Sequence, residues 1–433
     1  MSPLNPRIRA DLALPDIPDA GTSVPLRSHL GLPSLAADAV SAFGQAIALL
    51  LGTAVRRPHP LRVAAAYRSD RHLRIDGQPP DVWSPLSGFW RSADGWVRTH
   101  ANYPHHATAL RTALGLSAEV AGPELAEALR RLPGGEAARL ITAEGGLCVT
   151  VAPEDGSFDA RLRALPLVDI RRRADAPRHP LPALSEETPL RGVRVLDLTR
   201  VIAGPVATRT LALAGADVLR IDRPDVPEFE WQHLDTGHGK RTALLDVRRS
   251  AGALEALLAD ADVVVLGYRP DALAGLGLSP ARLALRHPHL VIATLQAWTE
   301  PDRRGFDSLV QASSGIAWAE SAEPGVPGAL PAQGLDHSAG YLLAAGIVRA
   351  LQRRADTGEC WSVSTSLRRV AAELLGLPRN LRSAGSAPET AETQDFLVGA
   401  RTVTTVIPAV RWPGAPERFA APRPWGADAP AWW

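Results

Sequence analysis

From residue 191 onward, short runs of valine, isoleucine and leucine alternate with helical patterns, and this alternation restricts the possible folds more than any other feature. The predicted strands are Val193–Leu198, Val218–Ile221, Thr242–Val247, Val263–Gly267, Leu290–Leu295 and Trp361–Ser366. Strands that are apolar throughout are typical of a parallel sheet, because the helical crossovers that connect them cover both of its faces. The sequence therefore predicts an α/β fold over residues 191–377, with a Rossmann-like parallel sheet covered by helices.

The rest of the chain follows other patterns. Asp94-Gly95, with aromatic residues on both sides, is a strong signal for a β-hairpin. Helical and strand patterns around it make residues 1–152 a smaller α+β domain at the N-terminus. Residues 153–190 are rich in proline and charge and lack a period, so they are predicted to be a linker. Residues 378–433 are rich in proline and tryptophan and are predicted to be a tail that wraps over other parts of the molecule.

The composition narrows the classes of function. A net charge of +1 gives no electrostatic reason to expect nucleic acid or an anionic membrane as a partner. Cys148 and Cys360 are too few for a disulfide framework and lack the CxxC spacing of a zinc site. The first residues lack the apolar segment of a signal peptide, and apolar runs such as Ala46–Leu51 are too short to span a membrane. We therefore expect a cytoplasmic protein with no membrane partner.

A loop meets a helix at Gly334-Leu335-Asp336-His337-Ser338. A Pro- and Gly-rich run precedes this point, and the apolar helical pattern Gly340–Arg354 follows it. There Asp336 meets unpaired backbone N–H groups and the positive end of the helix dipole, which favour the ionised carboxylate that a nucleophile needs. The ordinary alternative is that Asp336 only caps the helix. The local pattern leaves both interpretations open.

Two other candidate sites carry weaker signals. The turn Arg200–Pro205 has one glycine, so the GxGxxG fingerprint of dinucleotide binding is absent, and a lone Asp222 after the second strand is little support for a dehydrogenase. His100, His105 and His106 have no acidic residue at metal-ligand spacing in their run. Packed or surface histidines are expected there, and no metal site is predicted.

Separated motifs carry a family resemblance. One is GVRVLDLTRVIAGPVATRTLALAGADVLRID, from Gly192 to Asp222. Another is the pattern F/Y-D-x-x-x-Q-A-x-S-G, which reads here as Phe306, Asp307, Gln311, Ala312, Ser314 and Gly315. Together with the Gly-rich loop before Asp336, they resemble the class III CoA-transferases (CaiB/BaiF type), the family of formyl-CoA and carnitine CoA-transferases. The resemblance covers residues 188–377.

The resemblance implies a reaction and a nucleophile. Asp336 falls at the place of the family's catalytic aspartate. Enzymes of this family move coenzyme A from an acyl-CoA donor to a carboxylic acid acceptor through an aspartyl-CoA thioester. The expected substrates are thus acyl-CoA and a carboxylic acid, with no cofactor beyond coenzyme A, and no motif identifies either acid. Because the family forms interlocked dimers, we also expect a homodimer, which a monomeric mass by light scattering would refute.

The resemblance also implies which residues lie along the coenzyme A. They are Arg200, Val201, Ala203, Arg223, Arg248, Tyr268 and Arg304. Arg223 matches an arginine that meets the phosphates, and a guanidinium is suited to that contact. Arg248 falls close to a lysine near the adenosine end, and Tyr268 is suited to stacking. Gly267 and Gly275 stand where the family has asparagine and arginine, so two contacts are missing.

Other departures leave alternatives open. The unit DGWVRTHANYPHHATALRTALG is similar to the family's small domain, which normally follows the core, so residues 1–152 are either a permuted small domain or a remnant of a tandem fusion. No run of glycines follows Gly376, so the glycine-rich lid of many family transferases is missing. A non-catalytic family member is therefore one alternative. An acyl-CoA racemase is less favoured, because Phe306 stands where racemases carry a histidine and cannot shuttle a proton.

Overall fold

Helices and strands follow one another along most of the chain, of which the computed structural model describes residues 5–16, 23–379 and 390–432. The first part contains α1 (Pro6–Leu12), α2 (Leu32–Leu51), α3 (Pro60–Tyr67), α4 (Ser69–His72), β1 (Arg74–Ile75), β2 (Gly88–Arg91), β3 (Trp96–Thr99), α5 (Pro104–Ala113), α6 (Gly122–Arg130), α7 (Gly134–Ala143), β4 (Cys148–Thr150), α8 (Gly156–Ala164) and β5 (Asp169–Asp175).

The second part alternates more regularly. It contains β6 (Arg194–Leu198), α9 (Ala203–Leu213), β7 (Asp217–Asp222), α10 (Glu230–Thr236), β8 (Lys240–Leu244), α11 (Ala251–Ala259), β9 (Val263–Leu266), α12 (Pro270–Gly275), α13 (Pro280–Arg286), β10 (Val291–Gln296), α14 (Asp307–Ser313), α15 (Ile316–Ala319), α16 (Gly334–Thr357), β11 (Glu359–Ser366) and α17 (Leu367–Gly376). The last strands are β12 (Thr393–Val398) and β13 (Arg401–Val406).

Seven strands form the central sheet in the order β5-β11-β10-β9-β6-β7-β8. The strands from β11 to β8 are parallel, and β5 pairs with β11 in the antiparallel direction. Valine, leucine and isoleucine fill the inner strands, because helices bury both faces of the sheet. The predicted α/β fold with a Rossmann-like parallel sheet is confirmed, and all the predicted strands are present within a few residues of their expected bounds.

A second, antiparallel sheet contains β2, β3 and β4 and packs on α5, α6 and α7. Strands β2 and β3 form the predicted hairpin around Asp94-Gly95. This unit has a hydrophobic core of its own, which includes Val97, Leu110 and Ile141. The smaller α+β unit in the N-terminal part is therefore present. A third sheet, in the order β1-β13-β12, joins this part of the chain to residues 393–406.

The first three helices pack into the main core instead of the small one. Helix α2 lies along α16, and Phe43 and Tyr67 belong to the same hydrophobic cluster as Val195 of the central sheet. The predicted domain boundary at residue 152 stays a prediction, but the residues before it are shared between two cores. Residues 1–4 and 17–22 of that predicted domain lie outside the described residues.

Residues 153–190 are not the linker that the sequence predicts. Helix α8 begins after Asp155, whose side chain accepts hydrogen bonds from the backbone nitrogens of Ser157 and Phe158. Strand β5 then forms one edge of the central sheet. Its sequence, DIRRRAD, hides it from a search for apolar strands, because charged residues protect an exposed edge from pairing with another chain. Residues 176–190 contain neither helix nor strand.

The sequence analysis finds only apolar runs that are too short to span a membrane, and helix α2 corrects this expectation. An 18-residue stretch of this 20-residue helix has a mean hydropathy of 1.6, so the helix is long and apolar enough to cross a membrane by length and composition. Scattered polar residues such as Asp38 and Gln45 divide it into short runs, which is why a count of uninterrupted apolar residues misses it. In the structure 67% of this stretch is buried inside the protein, mostly along α16. The absence of a membrane partner stays a prediction.

The last described segment, residues 407–432, lies across the main body. Trp412 is buried in the main core. Trp425 Nε1 donates a hydrogen bond to Asp222 Oδ2 at 3.0 Å, at the end of β7. Further on, Asp428 forms a parallel bridge with Ala243 and so covers the outer edge of β8, which would otherwise be open to pairing. Residues 380–389 and 433 of the predicted tail lie outside the described residues.

The amino ends of α9 and α16 meet at the carboxyl edge of the central sheet. Both helices lie on connections between parallel strands, so both begin at this edge. Gly340 makes the contact, since a Cβ at this position would lie 2.6 Å from the Ala203 carbonyl oxygen and 2.9 Å from Val206 Cβ. Asp336 lies four residues before Gly340 and shares its face of the helix. Its side chain is therefore directed toward the turn between β6 and α9.

This contact predicts that Gly340→Ala is destabilising. The added methyl group overpacks the junction of α9 and α16, and such overpacking costs about 1–3 kcal/mol in the free energy of unfolding. Gly252 in α11 is the matched control, because a Cβ there meets nothing within 4 Å. Gly252→Ala should be neutral or stabilising by about 0.5–1 kcal/mol, as alanine is the better helix former. Urea unfolding of both variants measures this, and equal stabilities would contradict the close approach.

Candidate active site

Two carboxyl groups, Asp307 and Asp336, lie at the amino end of α16. Asp307 is the first residue of α14, and its Oδ2 accepts hydrogen bonds from the backbone nitrogens of Leu335 and Asp336, each at 2.9 Å. The helix end is therefore capped by Asp307 from a different element. Asp336 is the third residue of the helix and does not cap it. The alternative that Asp336 is only an N-cap is wrong.

The matched motif Phe306-Asp307…Gln311 acts as a clamp around this helix end. The Gln311 side-chain amide donates to Asp307 Oδ1, and its carbonyl oxygen accepts from the backbone nitrogen of Leu330 at 2.9 Å. Both ends of the Gln311 side chain are thus used. The clamp joins α14, the loop before α16 and the first turn of α16, and it fixes where Asp336 lies.

The two carboxyl groups differ in the hydrogen bonds that they accept. Burial raises the pKa of Asp307 to about 6, although three hydrogen bonds and the charge of Arg98 oppose the rise. Burial and the neighbouring charge of Asp307 raise the pKa of Asp336 well above its usual value, and among the described residues no donor meets its carboxyl group. Burial without a donor therefore favours the protonated form of Asp336. This corrects the expectation of an ionised Asp336, because the helix N–H groups that favour a negative charge are bound to Asp307.

One face of the small antiparallel sheet covers the carboxyl pair. Side chains alternate along β3, so Trp96, Arg98 and His100 share the face that is turned toward α14. Trp96 donates to a backbone carbonyl of the loop before α16 at 3.0 Å. The His100 Nδ1 atom lies 3.2 Å from Ser308 Oγ, and its ring stacks on Phe306 with 4.1 Å between centroids. We call this face the roof; it consists of Phe89, Trp96, Arg98 and His100, with Trp83 from the preceding loop.

The histidines near the roof form an aromatic cluster. His105 and His106 contact each other, with 4.1 Å between ring centroids, and both contact Tyr103. Burial lowers the pKa of His100 to about 3 and that of His106 to about 4, so both rings are neutral at physiological pH. Over the ranges 5–16, 23–379 and 390–432, no group of three His, Cys, Asp or Glu side chains is arranged to hold a metal ion.

Glu228 holds the turn between β6 and α9. Its carboxylate accepts hydrogen bonds from the Val201 backbone nitrogen at 3.1 Å, from the Arg200 guanidinium at 3.4 Å and from the Tyr103 hydroxyl at 2.7 Å. Val201 has a φ of 72°, which is strained for a β-branched residue, and these bonds hold it there. Burial alone would raise the pKa of Glu228, but the charges of Arg220 and Arg200 outweigh it and lower the pKa to about 2. Arg200 thus already has an anionic partner within the protein.

Charged residues inside the strands form a buried network beneath this turn. Lys240 Nζ lies 3.1 Å from Asp197 Oδ2 and donates to the Pro205 carbonyl oxygen at 2.9 Å. Arg220 pairs with Asp222 at 2.8 Å. Burial lowers the pKa of Lys240 to about 8. The sequence analysis did not predict this network or Glu228. Charged residues within apolar strands, as in LDL and VLRID, could have indicated the buried network.

The remaining residues predicted to contact coenzyme A divide into two places. Arg223 and Arg248, after β7 and β8, both contact Asp225 and are partly open to solvent. Tyr268 follows β9, and burial raises its pKa to about 12. Its hydroxyl is close enough to interact electrostatically with the Arg200 guanidinium. Together with the Arg200–Ala203 turn, these residues line the carboxyl edge of neighbouring strands. Arg304 is exposed and donates to the Gly145 carbonyl oxygen at 3.0 Å, so it contacts the N-terminal part instead.

A cleft of about 500 Å³ lies at the opposite edge of the central sheet. Its walls are formed at the amino ends of β6, β7 and β9 and include Arg194, Asp217 and Asp262. The predicted site residues do not line this cleft. It is therefore separate from the candidate active site.

Comparison with known proteins identifies the class of this region. Residues 190–398 match the model of CoA-transferase family III. A probable fatty acyl-CoA transferase of Mycobacterium tuberculosis is 31% identical over 213 residues, which are 45% of this chain and 54% of that protein. A formyl-CoA:oxalate CoA-transferase of Rhodopseudomonas palustris is 31% identical over 195 residues, 41% of this chain and 46% of the relative. The chain spans about half the length of the curated relatives it matches.

Two solved structures are similar in sequence to part of this chain. A CaiB/BaiF family protein from Brucella suis is 25% identical and covers 50% of this chain and 65% of its own, with a TM-score of 0.41. A hypothetical protein from Mycobacterium tuberculosis is 31% identical with a TM-score of 0.41, covering 44% of this chain and 56% of its own. Residues 190–398 match CoA-transferase family III, which confirms the resemblance that the motifs carry.

The state of the carboxyl pair predicts how Asp336→Asn changes stability with pH. Since the folded-state pKa of Asp336 is raised, the folded protein holds a proton that the unfolded chain has lost above about pH 4. The contribution of the protonated Asp336 carboxyl group to the free energy of unfolding is therefore present at low pH and is lost as pH rises. Asp336→Asn removes this loss, so the variant should gain stability relative to the wild type as pH rises above about 4. The measurement is urea unfolding across this range.

The control for this experiment is Asp356→Asn, on the exposed side of the same helix. Asp356 lies outside the carboxyl pair, so the gain in stability with rising pH should be confined to Asp336→Asn. A difference between Asp336→Asn and the wild type that does not change with pH would contradict the raised pKa of Asp336.

Proposed function

We propose that this chain transfers coenzyme A from an acyl-CoA to a carboxylic acid, with Asp336 as the nucleophile. The observation that carries the proposal is the position of this buried carboxyl group, beside Asp307 and four residues before the Gly340 contact with α9. Ligands of open α/β sheets bind at the carboxyl edge of the strands, where this contact lies. The family of residues 190–398, and relatives named as CoA-transferases, support the reaction class.

The proposed first half-reaction splits the donor. Asp336 reacts as its carboxylate, one oxygen of which attacks the thioester carbonyl carbon. The carbon–sulfur bond breaks, and coenzyme A leaves as a thiolate, so that Asp336 and the acyl group form a mixed anhydride. The thiolate then attacks the aspartyl carbonyl carbon and expels the donor's carboxylate. The product is an Asp336–CoA thioester, an ordinary form of covalent catalysis.

The proposed second half-reaction reverses these steps with the acceptor acid. Its carboxylate attacks the aspartyl carbonyl, and coenzyme A leaves again as a thiolate. The thiolate attacks the acyl carbonyl of the new anhydride, which releases the acceptor as its CoA thioester and restores the Asp336 carboxylate. Because the anhydrides react with water, the site must exclude solvent. The roof covers the carboxyl pair, and we propose that it serves in place of the missing glycine-rich lid.

We propose that coenzyme A lies along the carboxyl edge, with its phosphates near Arg223 and Arg248. Both guanidinium groups are partly open and share Asp225, so an incoming phosphate can replace a surface contact at little cost. Arg200 is less free because it is bonded to Glu228. Tyr268 is placed nearby for a stacking contact.

The racemase alternative loses support from the histidines. His100 brings an imidazole to Phe306, but its pKa is lowered to about 3, so it is a poor proton acceptor. His337, beside Asp336 in sequence, stacks on Tyr67 with 5.2 Å between centroids, and burial lowers its pKa to about 3. Neither ring is suited to move a proton at the α-carbon of an acyl-CoA.

We further propose, from the resemblance, a homodimer in the cytoplasm that uses no cofactor beyond coenzyme A and has neither membrane nor nucleic acid as a partner. Cys148 and Cys360 are free and buried, which agrees with a reducing compartment. The non-catalytic alternative remains distinct, because it predicts no adduct on Asp336 and no turnover.

The nucleophile assignment predicts the behaviour of Asp336→Asn in transfer assays. With a panel of acyl-CoA donors and free acids, the variant should lose several orders of magnitude in rate, as is typical when the attacking group of a covalent catalyst is removed. In the wild type, hydroxylamine should trap the intermediate as a hydroxamate on Asp336, visible by mass spectrometry. Asp356→Asn should keep full activity. An Asp336→Asn protein that transfers at the wild-type rate would overturn the assignment.

The coenzyme A position predicts a selective effect of Arg223→Ala. Coenzyme A should raise the melting temperature of the wild type, because a ligand that binds only the folded state stabilises it. Removing one charged hydrogen bond to phosphate should weaken the affinity about tenfold or more. The control is Arg249→Ala, since this arginine is 86% exposed and follows Arg248 directly. Equal affinities in the two variants would contradict the placement, and no shift with millimolar coenzyme A would favour the non-catalytic alternative.

A further inference from the structure

Arg98 of the roof carries a charge that the protein itself does not pair. Its guanidinium lies between two aromatic rings, 4.7 Å from the centroid of Phe89 and 5.1 Å from that of Trp83. Phe89 is its direct neighbour across the strand pair. The Nε atom is buried without an acceptor, and nowhere in the described part of the chain does a hydrogen bond or an ion pair reach this guanidinium. Aromatic faces hold the cation while its donors stay unused.

The unused donors lie on the side of the candidate active site. Arg98 shares its face of the small sheet with His100, which directly follows β3 and contacts Ser308 in the first turn of α14. The opposite charge that acts on Arg98 is that of Asp307, and Arg98 in turn lowers the pKa of Asp307. Asp307 is fully bonded to Gln311 and to the first turn of α16, so it does not take up these donors.

An unpaired, partly buried guanidinium is costly, and the other polar members of the roof avoid this cost. Trp96 and His100 each have a hydrogen-bond partner on the main body. Burial lowers the pKa of Arg98 to about 10, which still leaves it charged at neutral pH. A polar group kept without a partner at such a place is compensated when a ligand supplies one. The planar fork of a guanidinium matches a carboxylate, which it binds through two parallel hydrogen bonds.

We propose that Arg98 binds the carboxylate of the free acid, which is the acceptor in the proposed transfer. This inference rests on the proposed function and adds a residue from outside the family-matched region, residues 190–398. An acid held between Arg98 and the carboxyl pair has one oxygen near Asp336. That oxygen attacks the aspartyl-CoA carbonyl; a carbon–oxygen bond forms, the carbon–sulfur bond breaks, and coenzyme A leaves as a thiolate. The thiolate then attacks the carbonyl carbon of the acid in this anhydride, which releases the acid as its CoA thioester and restores the Asp336 carboxylate.

The competing interpretation is that Arg98 only packs against aromatic rings. Arg91, on the neighbouring strand β2, provides the comparison. Its guanidinium lies 4.9 Å from the centroid of Trp96, but its side chain is exposed. A packing role predicts similar effects when either arginine is replaced. A carboxylate-binding role predicts an effect of Arg98 on the free acid alone.

The first experiment measures binding without turnover. The full chain, saturated with coenzyme A, is heated with sodium formate, propionate or succinate, and with sodium chloride at equal ionic strength. At least one acid should raise the melting temperature of the wild type and of Arg91→Gln. In Arg98→Gln the apparent affinity for that acid should fall about tenfold or more, the loss of a charge-assisted pair. Arg98→Lys keeps the charge without the fork and should fall in between; it decides the test if Arg98→Gln does not fold.

The second experiment separates the two substrates. With an active donor and acceptor, Arg98→Gln should raise KM for the acid about tenfold or more and leave KM for the acyl-CoA unchanged. Equal stabilisation of wild type and Arg98→Gln by the acids, no stabilisation of the wild type by any of them, or an equal change in both KM values would overturn the proposal. Asp336→Asn distinguishes this failure from failure of the proposed function, since it should abolish transfer and keep the acid-dependent stabilisation.

Discussion

The hydrogen bonds from the first turn of α16 to Asp307 are the contact on which the rest of the site depends. A buried carboxylate is costly unless donors meet it, and here two backbone N–H groups and the Gln311 amide do so. The same bonds satisfy backbone groups that a helix leaves open at its start. One side chain thus joins α14 to α16, and it also fixes Asp336 against the β6–α9 turn.

This arrangement gives the two carboxyl groups different properties. Asp307 accepts the hydrogen bonds, whereas Asp336 is buried beside the negative charge of Asp307 without a donor, and its pKa is raised well above the usual value. Environments that push two neighbouring pKa values apart are a common way for active sites to assign roles to identical groups. For the proposed nucleophile, it follows that the attacking form is reached by losing a proton, and that a neutral Asp336 is more easily buried beneath the roof before substrate enters.

The sequence predicted the central sheet well because inner parallel strands are apolar runs. The assignment of Asp336 as the nucleophile comes from a motif resemblance and stays a prediction. It failed where the structure depends on distant residues. Strand β5 is charged because it forms an edge, and no local period reveals it. The cap of α16 comes from Asp307, 29 residues before Asp336 in the chain. Arg98 reads as an ordinary charged residue of a hairpin until the fold brings it to the carboxyl pair.

The position of these residues inside or outside the family match limits what the relatives indicate about this chain. The β6–α9 turn, Asp307 and Asp336 lie within residues 190–398, which match the family model. The roof lies outside that match, on strands β2 and β3 and the loop before them. If the free acid meets the roof while coenzyme A meets the carboxyl edge, the matched region fixes the chemistry and the unmatched region fixes which acid is used. On that proposal, the names of relatives aligned over half their length bear on the class of reaction, and the side chains around Arg98 bear on the choice of acid.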